Sequence, residues 1–210
     1  MDLISARKAM VDSQVRTSDV TDVAIHKAML ETHRESFCAP DRAFAAYADA
    51  IVPIHGDRSL MQAREVAKLL QALRPRSGER ALAIAAPYAG ALMARMGLDV
   101  VTQEADGAVA AVVEPALAAI GVTCVVQALD NPVGQGWDLI ISEGAVSAAP
   151  QSWIDALKPG GRMAVVERNG PMGHARLFVK AASGVVSSRD LFDATPPMLE
   201  SFEKRPTFTF

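Results

Sequence analysis

The sequence predicts an α/β fold: a doubly wound, seven-stranded, mostly parallel sheet ending in an antiparallel hairpin, preceded by a helical N-terminal extension. Three observations predict it. From Glu79 onward, short apolar runs alternate with segments of helical periodicity, the pattern of parallel strands joined by crossover helices. Residues 81–96 read as a buried strand, a tight turn and the opening of a helix. Near the end, the runs 175–180 and 185–192 are separated only by Ala181-Ala182-Ser183-Gly184, too few residues for a crossover and suited to a hairpin.

Bulk properties agree with this. A chain of 210 residues, 50% of them hydrophobic, supports one substantial core. A net charge of -3 with no basic run argues against a domain held to nucleic acid by its phosphates. Residues 1–8 are charged and lack the apolar centre of a signal peptide, and no apolar run approaches the ~18 residues of a membrane span. A cytoplasmic protein is expected. Cys38 and Cys124 have no metal-ligand spacing and read as free thiols.

In chain order, Ala6, Met10 and Val15 form a loose apolar stripe, and residues 19–30 continue it after a cap expected at Ser18-Asp19. Residues 41–47 are a short helical candidate after Pro40. The run Ile51-Val52-Pro53-Ile54-His55-Gly56-Asp57-Arg58 suits an edge strand or an extended loop, with His55 to Arg58 as a solvated turn and contact with an anionic substrate as the alternative. Residues 62–73 carry Val66, Ala67, Leu69, Leu70 and Leu73 at helical spacing, stopped by Pro75.

In the core, strands are expected at residues 98–103, 122–126, 137–142 and 162–167, with helices at 106–120 and 150–157 between them. Lys158-Pro159-Gly160-Gly161 reads as the stop of the last helix, and Gly170-Pro171-Met172-Gly173 as the entry to the hairpin. The reversed strand is expected to be the last. His26, His33, His55 and His174 are scattered, with surface or loop roles by default. The C-terminal Arg205-Pro206-Thr207-Phe208-Thr209-Phe210 has an alternating apolar ending suited to core or edge packing.

In such a sheet, ligands bind at the carboxyl ends of the strands, against a helix N-terminus in the first turn. That turn is normally rich in glycine. Here Ala85, Ala86, Pro87 and Tyr88 occupy it, and Gly90 falls inside the helix.

The chain resembles the protein-L-isoaspartate O-methyltransferases. The resemblance rests on His33-Arg34-Glu35-Ser36-Phe37, on Ala46-Tyr47-Ala48-Asp49 before a Pro-Ile pair, on Trp137-Asp138-Leu139-Ile140-Ile141, and on Leu157-Lys158-Pro159-Gly160-Gly161-Arg162-Met163. The last two are common to many methyltransferases; the first two lie in the narrower family's N-terminal extension. It implies a Rossmann-like S-adenosylmethionine-dependent methyltransferase fold over a single domain, 1–210, with 1–78 as the acceptor-side extension and 79–210 as the core. It also implies S-adenosylmethionine as cofactor and isoaspartyl-containing proteins or peptides as acceptors.

Carried over residue by residue, the family's cofactor turn places Tyr88 on a tyrosine, Ala83 on an acid, and Ala85, with Ala86 beside it, on glycines. Glu104 corresponds to the acid that holds the ribose hydroxyls, with a solvated helix-start acid as the alternative. Asp130 corresponds to the adenine-side aspartate, with a loop cap as the alternative. On the acceptor side the hydroxyl position is Met61, and Ser59 keeps a hydroxyl two residues away. Three readings follow: a methyltransferase acting on a carboxylate, a fold that has lost its cofactor and binds a partner protein, and a remodelled cleft around Pro87 and Tyr88 that holds another small ligand.

Overall fold

The computed structural model describes residues 2–202, so the expectation for residues 205–210 lies outside the described residues. The chain opens with α1 (Leu3–Met10), capped by Asp2, whose carboxylate accepts from the Ile4 N–H at 3.0 Å. The helix runs on through a π-turn, Val11–Val15, and a 3-10 turn, Arg16–Ser18, and breaks at Asp19, which takes the left-handed conformation. Helix α2 (Val23–Glu31) is capped by Asp22 rather than at Ser18-Asp19. The shift has a physical cause: Gln71 accepts from the Thr21 and Asp22 N–H groups and donates to the Asp19 carbonyl. The linker is thereby held open, and the next helix starts three residues late.

After 3-10 turns at Arg34–Phe37 and Pro40–Ala45, the run around Pro53 is neither a lone strand nor a loop. It is an antiparallel hairpin of β1 (Val52–His55) and β2 (Arg58–Leu60). Helix α3 (Ala63–Leu73) buries the expected face, Val66, Ala67, Leu69, Leu70 and Leu73, and ends on a left-handed Arg74 before Pro75.

The core alternates as expected: β3 (Arg80–Ile84), α4 (Pro87–Arg95), β4 (Asp99–Glu104), α5 (Gly107–Ala118), β5 (Thr123–Val126), β6 (Trp137–Val146), α6 (Gln151–Ala156), β7 (Leu157–Arg168), β8 (Gly173–Lys180) and β9 (Val186–Ala194). The seven strands lie in the order β5-β4-β3-β6-β7-β8-β9. The first five neighbours pair in parallel, and β8 runs antiparallel to both β7 and β9. The reversed strand is therefore β8, and the final strand β9 runs with the parallel set again. Helix α6 ends at Ala156, within a residue of the expected stop; β7 begins at Leu157, which pairs with Trp137, and Lys158-Pro159-Gly160-Gly161 bulges out, with Gly160 at φ 83°, before pairing resumes between Leu139 and Arg162. Strand β6 continues past Ser142 to Val146.

The centre of the sheet fixes the site. Ile84 at the end of β3 is level with Gln103 of β4 and Ser142 of β6. One residue further along, Glu104, Ala85 and Glu143 form a row across the carboxyl ends of three neighbouring strands. Helix α4 presses onto this part of the sheet, because a Cβ on Gly90 would lie 2.6 Å from Thr102 Cγ2 and 3.2 Å from Ala83 Cβ. Gly90 is thus a packing residue. Among the described residues no helix is long and apolar enough to cross a membrane.

Candidate functional site

The turn after β3 is built without glycine. Ala85 takes a left-handed conformation at φ 49°, and its N–H donates to the Gln103 carbonyl at 2.7 Å. An alanine there carries a strain of about 1 kcal/mol that a glycine would not. Ala86 precedes Pro87, the first residue of α4, where a proline suits a helix start because its missing N–H has no helical partner. Ala83, Ala85, Ala86 and Tyr88 expose no surface. Ala86 gives no side-chain cap; instead the Glu143 carboxylate from β6 accepts from the Ala89 N–H at 2.7 Å. An anion is stabilised at such an end by the free N–H groups and the helix dipole. Here that place is taken by a carboxyl of the chain's own, Glu143.

Glu143 is fully buried, and its second oxygen has no hydrogen-bond partner among the described residues. Burial pushes its carboxyl above the usual carboxylate range, against the pull of Arg34.

Arg58 reaches into the same row from β2. Its Nε and Nη2 meet Glu104 Oε2 and Oε1 at 3.1 and 3.0 Å, a two-point fork. Nη2 also donates to the Ala85 carbonyl at 2.6 Å, and Nη1 donates to the Glu143 carbonyl at 3.3 Å and the Ser59 carbonyl at 3.2 Å. One guanidinium therefore bridges the ends of β4, β3 and β6, across the crevice where an α/β sheet takes its ligand. The Glu104 side chain is 1% exposed and that of Arg58 16%. The expectation of a solvated turn fails at Arg58: its side chain folds inward because the buried Glu104 carboxylate requires a cation.

Behind the turn, the segments that carried the family resemblance form a second buried network. Arg34 is fully buried; its Nε donates to the Ala46 carbonyl at 2.9 Å, its Nη2 to the Met61 carbonyl, and it lies 4.6 Å from the Tyr88 ring centroid. Phe37 meets the same ring edge-on at 5.8 Å. Arg7 donates to the Tyr47 hydroxyl at 2.8 Å, and that hydroxyl donates to Glu35. Burial and the Glu35 hydrogen bond push the Tyr47 phenol up to about 12. The Tyr88 hydroxyl has no partner among the described residues, and burial drives its pKa above the ordinary range. Tyr88 is a core residue of the turn, with its ring held by Arg34 and Phe37.

The remaining expected site residues are dispersed. Met61 is fully buried in the main core. Ser59 is half-buried on β2, paired with Pro53. Asp130 is exposed in the loop after β5. That loop is anchored instead by Gln103, which donates to the Ala128 and Asn131 carbonyls at 2.8 and 3.0 Å and accepts from the Val133 N–H at 2.8 Å. His26 departs from the surface reading, buried against the Val20 carbonyl, whereas His174 keeps it, exposed and paired with Asp193. Glu143 is the residue the sequence reading missed, and Arg58, weighed there as an anion contact, meets the chain's own Glu104. A signal existed for Glu143, an acid inside the apolar run from Leu139 to Val146, next to a turn that had lost its own acid at Ala83.

Against known proteins, the family model described as Protein-L-isoaspartate(D-aspartate) O-methyltransferase matches residues 5–194. A protein-L-isoaspartate O-methyltransferase of Methylorubrum extorquens (strain PA1) is 32% identical over 199 residues, covering 92% of this chain and 85% of the relative. One of Methanoregula boonei is 34% identical over 167 residues, covering 76% of each. A solved structure described as a protein-L-isoaspartate O-methyltransferase superposes with a TM-score of 0.76 at 21% identity; it covers 93% of this chain, which spans 65% of the length of that one. A Plasmodium falciparum structure, described as a beta-aspartate methyltransferase in complex with S-adenosyl-L-homocysteine, superposes with a TM-score of 0.79 at 16% identity, covering 92% of this chain and 98% of its own. The sheet and helices are those of the Rossmann-like S-adenosylmethionine-dependent methyltransferase fold.

At the place of that fold's cofactor turn, the chain's own groups are packed together. The turn holds the buried methyl of Ala85, the first turn of α4 holds the Glu143 carboxylate, and Glu104 holds Arg58. So arranged, these residues do not fit S-adenosylmethionine.

Proposed function

This chain belongs to the protein-L-isoaspartate O-methyltransferase family, and we propose that it is a member in which the cofactor cleft is closed by the chain's own side chains and the family reaction is lost. That reaction is methyl transfer from S-adenosylmethionine to an isoaspartyl carboxylate. The observation that carries the reading is Glu143 at the first turn of α4, accepting from the Ala89 N–H at 2.7 Å. The cofactor's own carboxylate needs a helix N-terminus of this kind, and the Glu143 carboxyl already takes that place on the Ala89 N–H.

The loss matters because of what the chemistry asks of the protein. Transfer from a sulfonium to a carboxylate requires in-line approach, partial exclusion of water and a firmly held donor, so positioning is most of the catalysis. A shifted acceptor hydroxyl at Ser59 is a modest change by comparison. The test is transfer of labelled methyl from S-adenosylmethionine to an isoaspartyl peptide by the wild-type chain. The reading predicts no turnover above the protein-free blank, and multiple turnovers contradict it.

A second reading, a non-catalytic protein that holds a small polar ligand or a partner segment, is favoured by a cavity of about 720 Å³ beside the closed cleft, lined in part by Asp57, Ser147, Asn169, Met198 and Glu200. A ligand-observed NMR screen of polar fragments, with Asn169→Trp to fill the cavity, tests it; binding that survives the substitution rules this cavity out.

A further inference from the structure

We propose that Arg58 sets the ligand specificity of the cleft: it occupies the place of a nucleoside's ribose on Glu104, and its removal leaves a site that reads a cis-diol without an amino-acid tail. The inference rests on the closed-cleft reading above and specifies which end of the cleft is closed by which residue.

Glu104 stands at the end of β4, the strand next to the central β3. In doubly wound sheets an acid in that place accepts hydrogen bonds from ribose hydroxyls. A cis-diol offers two O–H donors side by side, and the Arg58 fork offers two N–H donors to the same two oxygens at 3.0 and 3.1 Å. The guanidinium thus satisfies the carboxylate as the diol would.

Arg58 occupies the site as a side chain only. Its strand belongs to the two-stranded β1–β2 hairpin, outside the seven-stranded sheet, so truncation at Arg58 leaves the strand ends and Glu104 in place. The other end of the cleft is closed separately, by Glu143 on α4 and by the buried Ala85. Truncating Arg58 opens the ribose end alone. The ligand class is then a nucleoside with both ribose hydroxyls, and a homocysteine tail contributes nothing.

Thermal unfolding of the full chain reads this directly, with adenosine, 2′-deoxyadenosine and S-adenosylhomocysteine as probes on wild type, Arg58→Ala, Arg58→Gln and Arg58→Ala/Glu104→Gln. Arg58→Gln keeps a neutral donor beside Glu104 and carries the test if Arg58→Ala leaves the buried acid too exposed to fold. Adenosine at about ten times its dissociation constant is expected to raise the midpoint of the single variants by about 3 °C. The wild type, the double variant and the 2′-deoxyadenosine samples should not move. Absence of a rise in the folded single variants overturns the proposal, as does an equal rise in wild type or in the double variant. A larger rise with S-adenosylhomocysteine than with adenosine leaves Arg58 as the ribose plug and overturns the closed amino-acid end instead.

Discussion

The Arg58 guanidinium and the Glu104 carboxylate form a two-point ion pair across 46 residues of sequence, with Nη2 to Oε1 at 3.0 Å and Nε to Oε2 at 3.1 Å. The pair is desolvated on the carboxylate side and fully supplied with hydrogen bonds on the guanidinium side, since the Ala85, Ser59 and Glu143 carbonyls take the remaining directions. It is a structural tie and, on the proposed reading, the occupant of the ligand crevice.

As a tie, it should be strongly asymmetric. Arg58→Ala strands a buried carboxylate and is expected to cost about 3 kcal/mol, whereas Arg58→Met/Glu104→Met, which removes both charges, should cost much less. Urea unfolding of the two variants checks this, and equal losses would show that packing, not the unpaired charge, governs the position.

Glu143 gives a pH signature. Its folded pKa is raised by burial, so the native state binds its proton more tightly than the unfolded chain. The destabilisation this causes is absent below the unfolded carboxylate value near 4.5 and grows as pH rises through the raised folded value. Glu143→Gln keeps an acceptor for the Ala89 N–H and cannot ionise. Relative to Glu143→Gln, the wild type should therefore lose stability from mildly acidic to neutral pH in guanidinium titrations; a constant difference would count against a buried ionising carboxyl.

Gly90 is required by contact rather than by conformation. Gly90→Val would drive side-chain carbon into Thr102 Cγ2, 2.6 Å from the ideal Cβ position, and into Ala83. A loss of about 2 kcal/mol is expected, and Thr102→Ser, which removes the colliding methyl, should recover part of it. Additive losses in the double variant would place the strain elsewhere.

Ala85→Gly separates the strain of the turn from the blockage of the cleft. Relief of the left-handed alanine is offset by the lost methyl and the freer unfolded chain, so the change should stay within about 0.5 kcal/mol. It should not restore binding of S-adenosylhomocysteine, because Glu143 and Arg58 remain. Binding gained from this one substitution would make the Ala85 methyl the barrier.

How much of this was legible follows from the range of the signals. The strands of the core and the helices α3, α4 and α5 are written in local apolar periodicity, and the turn between Ile84 and Pro87 is found where its strand ends. The Asp22 cap and the hairpin at Gly56 were displaced or left open because their partners, Gln71 and the β1–β2 pairing, lie outside any local window. Arg58 was read first as a solvated turn residue, and Glu143 was missed, for the same reason: their bonds span 46 and 54 residues, and a charged residue in a turn or a strand reads locally as solvated. The missing acid at Ala83 and the missing glycines were legible; what replaced them physically was not.

On the proposed reading Arg58 and Glu143 fill the cleft, and the wild-type chain's affinity for S-adenosylhomocysteine is the quantity that decides it. Isothermal titration calorimetry of the full chain with S-adenosylhomocysteine at about 1 mM, a concentration that reports even millimolar dissociation constants, is predicted to give only the heat of dilution. A saturable heat with a dissociation constant in the micromolar range would contradict the account.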